Sequence, residues 1–265
     1  MKIGCMIWRI GDILDFYDQL DWVKANGFEE MSFWTIPGSY GHWQGFDTEQ
    51  ATKNDIVVLK NALCDLSEVD LHAGFPLNSM DEDSRNATLQ KLIPTFELAG
   101  NIGASTITIH PDGMTNKVSR ETGLTSSLIQ LNDLGKRYNT MVGIETEWDM
   151  PLIERLDLPN VGITIDTGHL HFNNGKAFEL YGSLGGMIKR FYKKIIHLHL
   201  HDYDGQLDHI AIGRGNIDFA DIIEALCAVQ FDGSLCLEIN PDREPPEAIC
   251  RNRDYLREMI ADLML

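Results

Sequence analysis

Short β-rich runs alternate with helix-patterned runs eight times along this chain, and that alternation constrains its fold more than any other feature. The strand-like runs are Lys2–Trp8, Glu30–Trp34, Val69–Phe75, Ser105–His110, Met141–Glu147, Val161–Asp166, Ile195–His201 and Ser234–Ile239. Amphipathic stretches such as Leu14–Asn26, Thr88–Ile102 and Phe219–Val229 lie between them, and several stop at a glycine, as in Ala25-Asn26-Gly27 and Asn101-Ile102-Gly103. Strands separated by helices imply parallel βαβ units. Eight such units closed into a barrel use about 250 residues, and the chain has 265. No composition break or linker divides it. The expectation is a single (β/α)8 TIM barrel of the α/β class over residues 1–265.

Side chains alternate between the two faces of a strand, so parity sorts each run into an outer and an inner face. Ile107 and Ile109, Ile163 and Ile165, and Leu235, Leu237 and Ile239 form apolar faces that should pack on the outer helices. The seventh run should turn Ile196, Leu198 and Leu200 outward, and His197, His199 and His201 inward. His72, Thr106, Thr108, His110, Glu145, Thr164, Asp166, Cys236 and Glu238 share the inner parity. Histidines and carboxylates therefore collect on the interior face, toward the C-terminal strand ends where barrels of this kind keep their active sites.

Glu145, Asp166, His199 and Glu238 fall at four successive strand ends. Carboxylates converging in one mouth repel each other unless they are paired, protonated or bound to a metal. Three carboxylates and one imidazole form a mixed oxygen and nitrogen set that suits Mn2+, Mg2+, Co2+ or Zn2+. Composition agrees with a cationic guest. With 22 basic and 40 acidic residues the chain carries −18 at neutral pH and has no basic cluster beyond pairs such as Lys193-Lys194. Nucleic-acid affinity draws on Lys and Arg neutralising phosphates, so a polyanionic partner is not expected. The five cysteines form no C-x-x-C pair, which fits free thiols in a cytoplasmic protein. No signal peptide or membrane-spanning apolar run is visible, so no membrane partner is expected.

The ordered segments Leu71-His72-Ala73, Ile109-His110-Pro111, Ile144-Glu145, Ile165-Asp166-Thr167-Gly168-His169, His199-Leu200-His201-Asp202, Gly213-Arg214-Gly215-Asn216-Ile217-Asp218-Phe219 and Leu237-Glu238-Ile239 resemble the xylose isomerase-like barrels. That superfamily includes sugar isomerases and epimerases, inosose dehydratases and abasic-site endonucleases of the endonuclease IV type. The resemblance implies that Glu145, Asp166, His199 and Glu238 are common metal ligands, with Mn2+ favoured. It makes His169 a substrate or second-metal residue. His72, His110 and His209 match extra-metal positions of the endonucleases, and in sugar enzymes such positions line the pocket. The aspartate that the endonucleases carry two residues before that last histidine is Leu207 here, with Asp208 adjacent but out of step.

Simpler structural roles compete for several of these residues. His72 and His110 would look the same as hydrogen-bonded interior histidines. His197 should lie deeper and be structural, His201 could be a solvated strand end, and Asp202 could orient a ligand or cap a loop. The turn at Gly213–Gly215 is no phosphate loop, because no G-K-[ST] follows it. Trp8, Trp34 and Trp148 fall at strand ends, and Trp43 lies in the Gly-rich loop Pro37–Gly45. Aromatic faces there could pack on the C–H face of a sugar. The connections 37–53 and 171–185 are candidate lids.

The expected function is a metal-dependent ketose isomerase or epimerase acting on a sugar or polyol, as a monomer or a homo-oligomer. The metal would stabilise an enediolate as a Lewis acid, while Glu145 and Glu238 remove and return the α-proton. His169, His72, His110, His209, Arg214, Trp8, Trp34 and Trp148 would contact substrate. An inosose-type dehydratase on the same site, a zinc phosphodiesterase acting on abasic DNA, and a sugar- or metal-binding barrel without turnover are the alternatives.

Overall fold

Strands β1 Lys2–Ile7, β2 Glu30–Trp34, β3 Glu68–His72, β4 Thr106–Ile109, β5 Met141–Glu145, β6 Val161–Asp166, β7 Ile195–Leu200 and β8 Ser234–Leu237 pair in parallel, each with its sequence neighbour. Pairing of β1 with β8 closes the barrel. The computed structural model describes residues 1–13, 15–36, 45–77, 81–111, 117–172 and 177–263. Trp43 and most of the loop around it lie outside the described residues. Each strand ends at or just before the residue expected from the sequence, because the final residues of the apolar runs turn into the loops that build the mouth.

The helices are α1 Phe16–Ala25, α2 Lys53–Ala62, α3 Glu82–Ile102, α4 Lys117–Tyr138, α5 Met150–Leu156, α6 His169–Phe172, α7 Leu184–Phe191, α8 Phe219–Ala228 and α9 Pro246–Leu263. Several of their N-termini are fixed by side chains that accept from otherwise orphaned amides. Asp15 caps α1, Asp81 caps α3, Ser183 caps α7 and Asp218 caps α8. Thr52 and Asp55 form a reciprocal capping box on α2. The Asp81 cap starts α3 at Glu82, ahead of the apolar periodicity that becomes visible at Thr88. The candidate lid 171–185 contains a short 3-10 helix, Ala177–Tyr181, and the start of α7. Of the other candidate, residue 53 already belongs to α2. Among the described residues, no helix is long and apolar enough to cross a membrane.

Parity holds around the barrel with one exception. Ile107, Ile109, Ile163, Ile165, Leu198, Leu200, Leu235 and Leu237 are buried in the continuous apolar layer between strands and helices. Thr108 points inward, where its hydroxyl meets Asp70 Oδ1 at 3.0 Å and Thr164 Oγ1 at 3.2 Å. Ile196 departs from the expected outward position. The β6–β7 register runs Ile163 to Ile195 and then Thr164 to His197, so a bulge skips Ile196. Its side chain packs over Gly162, where an added Cβ would stand 2.6 Å from Ile196 Cγ2.

Asp202 caps a loop. Its carboxylate accepts from the amides of Tyr203, Gly213, Gly215 and Ile217 at 2.8–3.1 Å. That binds the 213–217 turn to the end of β7 and explains its glycines. Gly213 has φ +89, and a Cβ on Gly215 would stand 2.3 Å from Asp202 Oδ1.

The packed interior gives a direct stability test. A Cβ on Gly143 would sit 2.1 Å from Thr164 Oγ1. Gly143→Ala should therefore lower the unfolding free energy by about 1–3 kcal/mol, the usual cost of overpacking, measured by urea denaturation. Unchanged stability would contradict this packing.

Candidate metal and substrate site

The inner side chains at the C-terminal ends of β3 to β8 meet around one carboxylate. Glu145, at the end of β5, is 5% exposed. His169 Nδ1 lies 2.8 Å from its Oε1, and His199 Nδ1 lies 3.1 Å from its Oε2. His110 and His72 stand farther off, at 3.5 and 3.6 Å. Glu238, just beyond β8, brings Oε2 to 3.0 Å from the same His199 Nδ1. Asp166 enters through two histidines. His169 Nδ1 is 3.6 Å from its Oδ2, and His201 Nε2 is 2.9 Å from its Oδ1. Asp166 Oδ1 also accepts from the amide of His169 at 2.6 Å, which fixes the D-x-x-H turn.

His201 is fully buried, so the solvated strand end considered from sequence is not its state. The amide of His209 donates to its Nδ1 at 2.8 Å. That nitrogen is an acceptor, so Nε2 carries the proton and donates to Asp166. His209 stacks on this ring with centroids 3.8 Å apart, and its Nδ1 lies 3.0 Å from the Glu238 carbonyl.

These contacts set the charges. Burial pushes Glu145 toward its neutral form, but His110, His169, His199 and His72 outweigh it and hold the carboxyl well below 4.5. Burial likewise opposes ionisation of Asp166 and Glu238. His169 and His201 overcome it at Asp166, and His199 overcomes it at Glu238, which is lowered to about 2. Burial would discharge His169 and His199, yet Asp166 with Glu145, and Glu238 with Glu145, raise the two histidines well above 6.5. Burial lowers His110, and it takes His209 down to about 4 with help from His201.

The set fits a divalent metal. One ring nitrogen of His199 faces two carboxylate oxygens at 3.0 and 3.1 Å, although a single N–H cannot point well at both. Glu238 Oε2 is buried with no hydrogen bond of ordinary geometry despite that short approach. Donors about 2.1 Å from one ion and at right angles stand about 3.0 Å apart, which is the spacing found here. Triads His72–His110–Glu145, His72–His199–Glu238 and His169–His201–His209 also have donor atoms within 4.8 Å of one another.

Above this cluster opens a cavity of about 480 Å3 whose lining includes Trp8, Trp34, His72, His110, His169, His209 and Glu238. That volume suits a small organic ligand. Trp34 stacks on His72 with centroids 4.0 Å apart, and Trp8 meets His209 edge-on at 5.0 Å. Two of the residues expected to contact substrate do not line it. Trp148 is 47% exposed. Arg214 is turned to an ion pair with Glu244, because its own loop is anchored to Asp202 by backbone amides. The sequence reading missed Asp208, Asn240 and Arg243, which also line the cavity. Asn240 shares the parity of Glu238 and was legible. Arg243 reaches back from the last loop to ion-pair with Asp208, a long-range contact with no local signal. Asp70 was missed as well. Ser32 Oγ donates to its Oδ2 at 2.6 Å, and that oxygen lies 4.0 Å from His199 Nε2.

A family profile described as xylose isomerase-like TIM barrel matches residues 20–259. An uncharacterized protein of Methanocaldococcus jannaschii is 28% identical over 216 residues, covering 73% of this chain and 70% of that protein. A solved D-tagatose 3-epimerase-like protein superposes with a TM-score of 0.75 at 21% identity, over 99% of this chain and 98% of its own. The IOLI protein, solved with a bound zinc atom, superposes with a TM-score of 0.74 at 17% identity, over 99% of each chain.

The charge pattern predicts how metal affinity responds to pH. A metal takes neutral imidazole, so its binding must displace the proton that His199 keeps above its usual 6.5. Affinity for Mn2+ should rise with pH through neutrality and level off once His199 has lost its proton. Titration calorimetry in buffers of different ionisation enthalpy should show proton release at pH 7, and no release would contradict this charge state. Without metal, the raised histidines stabilise fully below 6.5 and lose that effect as pH climbs through their folded values. The lowered carboxylates stabilise above 4.5 and lose theirs on acidification. These raised histidines and lowered carboxylates should contribute most to the stability of the metal-free protein between those two values. His110 and His209, which burial holds neutral, subtract from that gain below 6.5, so thermal midpoints across pH should peak toward the upper end of the window.

Proposed function

Because the chain belongs to the xylose isomerase-like TIM barrel family, we propose that it is a metal-dependent isomerase or epimerase of a ketose or related polyol. The observation that carries this reading is the pair Glu145 and Glu238. They are two buried carboxylates from different strands, both about 3 Å from His199 Nδ1. Glu238 lines the cavity, and Glu145 lines a small adjoining recess that shares His110 and His169 with it. Ketose epimerisation removes the proton α to a carbonyl and returns one, so it needs two positioned proton carriers. Structural relatives, a D-tagatose 3-epimerase-like protein among them, point the same way.

A divalent metal held by Glu145, Asp166, His199 and Glu238 would supply Lewis-acid stabilisation of the charge that develops on substrate oxygens, a contribution of several kcal/mol. Mn2+ suits the carboxylates, and the imidazoles around them suit Zn2+ or Co2+ as well. Glu145 or Glu238 takes the α-proton and the other returns one, the two exchanging roles with the direction of reaction. Each transfer is worth roughly 10²–10⁴-fold. The histidines around Glu145 keep it ionised despite its burial, which is the state a base needs. His169 has its raised proton affinity at the edge of the cavity and would donate a hydrogen bond to a substrate oxygen. Trp8 and Trp34 would cover the C–H face of the substrate and exclude water. Loss of a β-hydroxyl after the same deprotonation would make the enzyme a dehydratase.

A second reading, a zinc phosphodiesterase on abasic DNA, draws support from the extra histidine triads at the mouth. The −18 charge and Leu207 weigh against it, because a DNA-binding face needs cationic side chains for phosphates.

Glu145→Gln and Glu238→Gln should each lower turnover on a ketose by roughly 10²-fold or more, with metal content checked in each variant. Exchange of the substrate α-hydrogen with solvent deuterium is the decisive measurement. A Gln variant with full metal that exchanges like wild type would remove that residue from the proton transfer. The wild-type protein should leave abasic-site duplex DNA intact at physiological salt, and efficient incision would replace the sugar reading with the nuclease one.

A further inference from the structure

Beneath the mouth, the barrel interior holds a second polar set that the proposed reaction does not use. Glu30 of β2, His197 of β7 and Cys236 of β8 are all buried, the most exposed of them at 2%. One donor atom from each lies within 4.8 Å of the other two. Asp70 Oδ2 stands 3.9 Å from His197 Nε2, close enough to serve as a fourth donor. Glu30 reaches across toward β1, and only the missing Cβ of Gly4 leaves room for it. A Cβ there would lie 1.3 Å from Glu30 Oε2.

The orphaned atoms mark this place as unusual. Glu30 Oε1, Glu30 Oε2 and His197 Nε2 are buried without a hydrogen bond of ordinary geometry. Native interiors leave few polar atoms in that condition, and each calls for a water, an ion or a role. Burial drives both the Glu30 carboxyl and the Cys236 thiol toward their neutral forms. Neutrality removes the charge penalty but leaves the carboxyl only the weak thiol donor of Cys236, and His197 Nε2 without a hydrogen bond of ordinary geometry.

We propose that Glu30, His197 and Cys236 form a second metal site in the barrel core, selective for a thiophilic divalent ion of the zinc class. The donor chemistry decides the class. Thiolate, imidazole and carboxylate together suit Zn2+ or Co2+, whereas Mg2+ and Mn2+ prefer oxygen. Binding would send the carboxyl and thiol protons to solvent. One dication would then meet one carboxylate and one thiolate beside a neutral imidazole, with no net charge left among these three ligands. This second ion would tie β2, β7 and β8 together below the substrate cavity, so its role is structural. The inference stands apart from the proposed reaction, because none of its three ligands is a ligand of the mouth.

Stepwise Co2+ loading of the metal-free full-length protein tests it. A thiolate-to-cobalt charge-transfer band should grow in the near ultraviolet and reach the intensity of one thiolate-bound cobalt per chain by the second equivalent, since the mouth also takes cobalt. It should persist in Glu145→Gln, which alters only the mouth, and in Cys64→Ser, which removes the exposed thiol. It should vanish in Cys236→Ser while the cobalt at the mouth remains. Absence of the band in wild type, or its survival in Cys236→Ser, would overturn the proposal. Should Cys236→Ser fail to fold, X-ray absorption of zinc-loaded wild type decides. A sulfur neighbour at about 2.3 Å supports the site, and a shell of nitrogen and oxygen alone rejects it.

Discussion

In a closed parallel ladder the strands find backbone partners on both sides, and pairing of β1 with β8 completes the circuit here. Closure divides the side chains of each strand into two populations with opposite demands. One population packs as aliphatic residues against the helices. The other is confined to a narrow interior where neighbouring strands face each other across a few ångströms. Below the mouth, a titratable residue at inner parity cannot reach solvent by rotating. It must find a partner among the inner residues of the other strands, and the chemistry of this protein follows from that confinement.

At the mouth, confinement produces mutual dependence. Glu145 stays ionised because His110, His169, His199 and His72 surround it, and His169 and His199 stay protonated because carboxylates face them. Removing one member would leave charges uncompensated in a poorly solvated place, where that is costly. A metal would resolve the same conflict by another route, replacing histidine protons as the positive charge. The mutual pairing of carboxylates and histidines lets a buried acidic cluster exist without one.

Deeper in the barrel the balance is less complete. Asp70 is satisfied by Ser32 and Thr108, while Glu30 has only the weak thiol donor of Cys236 and Nε2 of His197 has no hydrogen bond of ordinary geometry. The space for Glu30 comes from Gly4 on the opposing strand, so one inner position is specified by the absence of a side chain at another. Such reciprocal pairs are invisible in either strand alone.

Period-two alternation, amphipathic patterning and glycine stops made the strands and several helices legible from the chain itself, because they depend on neighbours within a few residues. Parity also placed Glu145, Asp166, His199 and Glu238 on the inner face, since facing is a local consequence of pleating. The same logic misplaced Ile196, where a bulge broke the count. It gave Trp148 and Arg214 to a cavity that neither of them lines. Loop side chains have no period, and their direction is set by distant partners such as Glu244 for Arg214. Burial of His201, entry of Arg243 into the cavity and the meeting of Glu30 with His197 and Cys236 were likewise decided by tertiary structure. The sequence by itself determined which residues face inward. Only barrel closure decided which of them meet, because those meetings join strands far apart in the chain and depend on the strands' stagger.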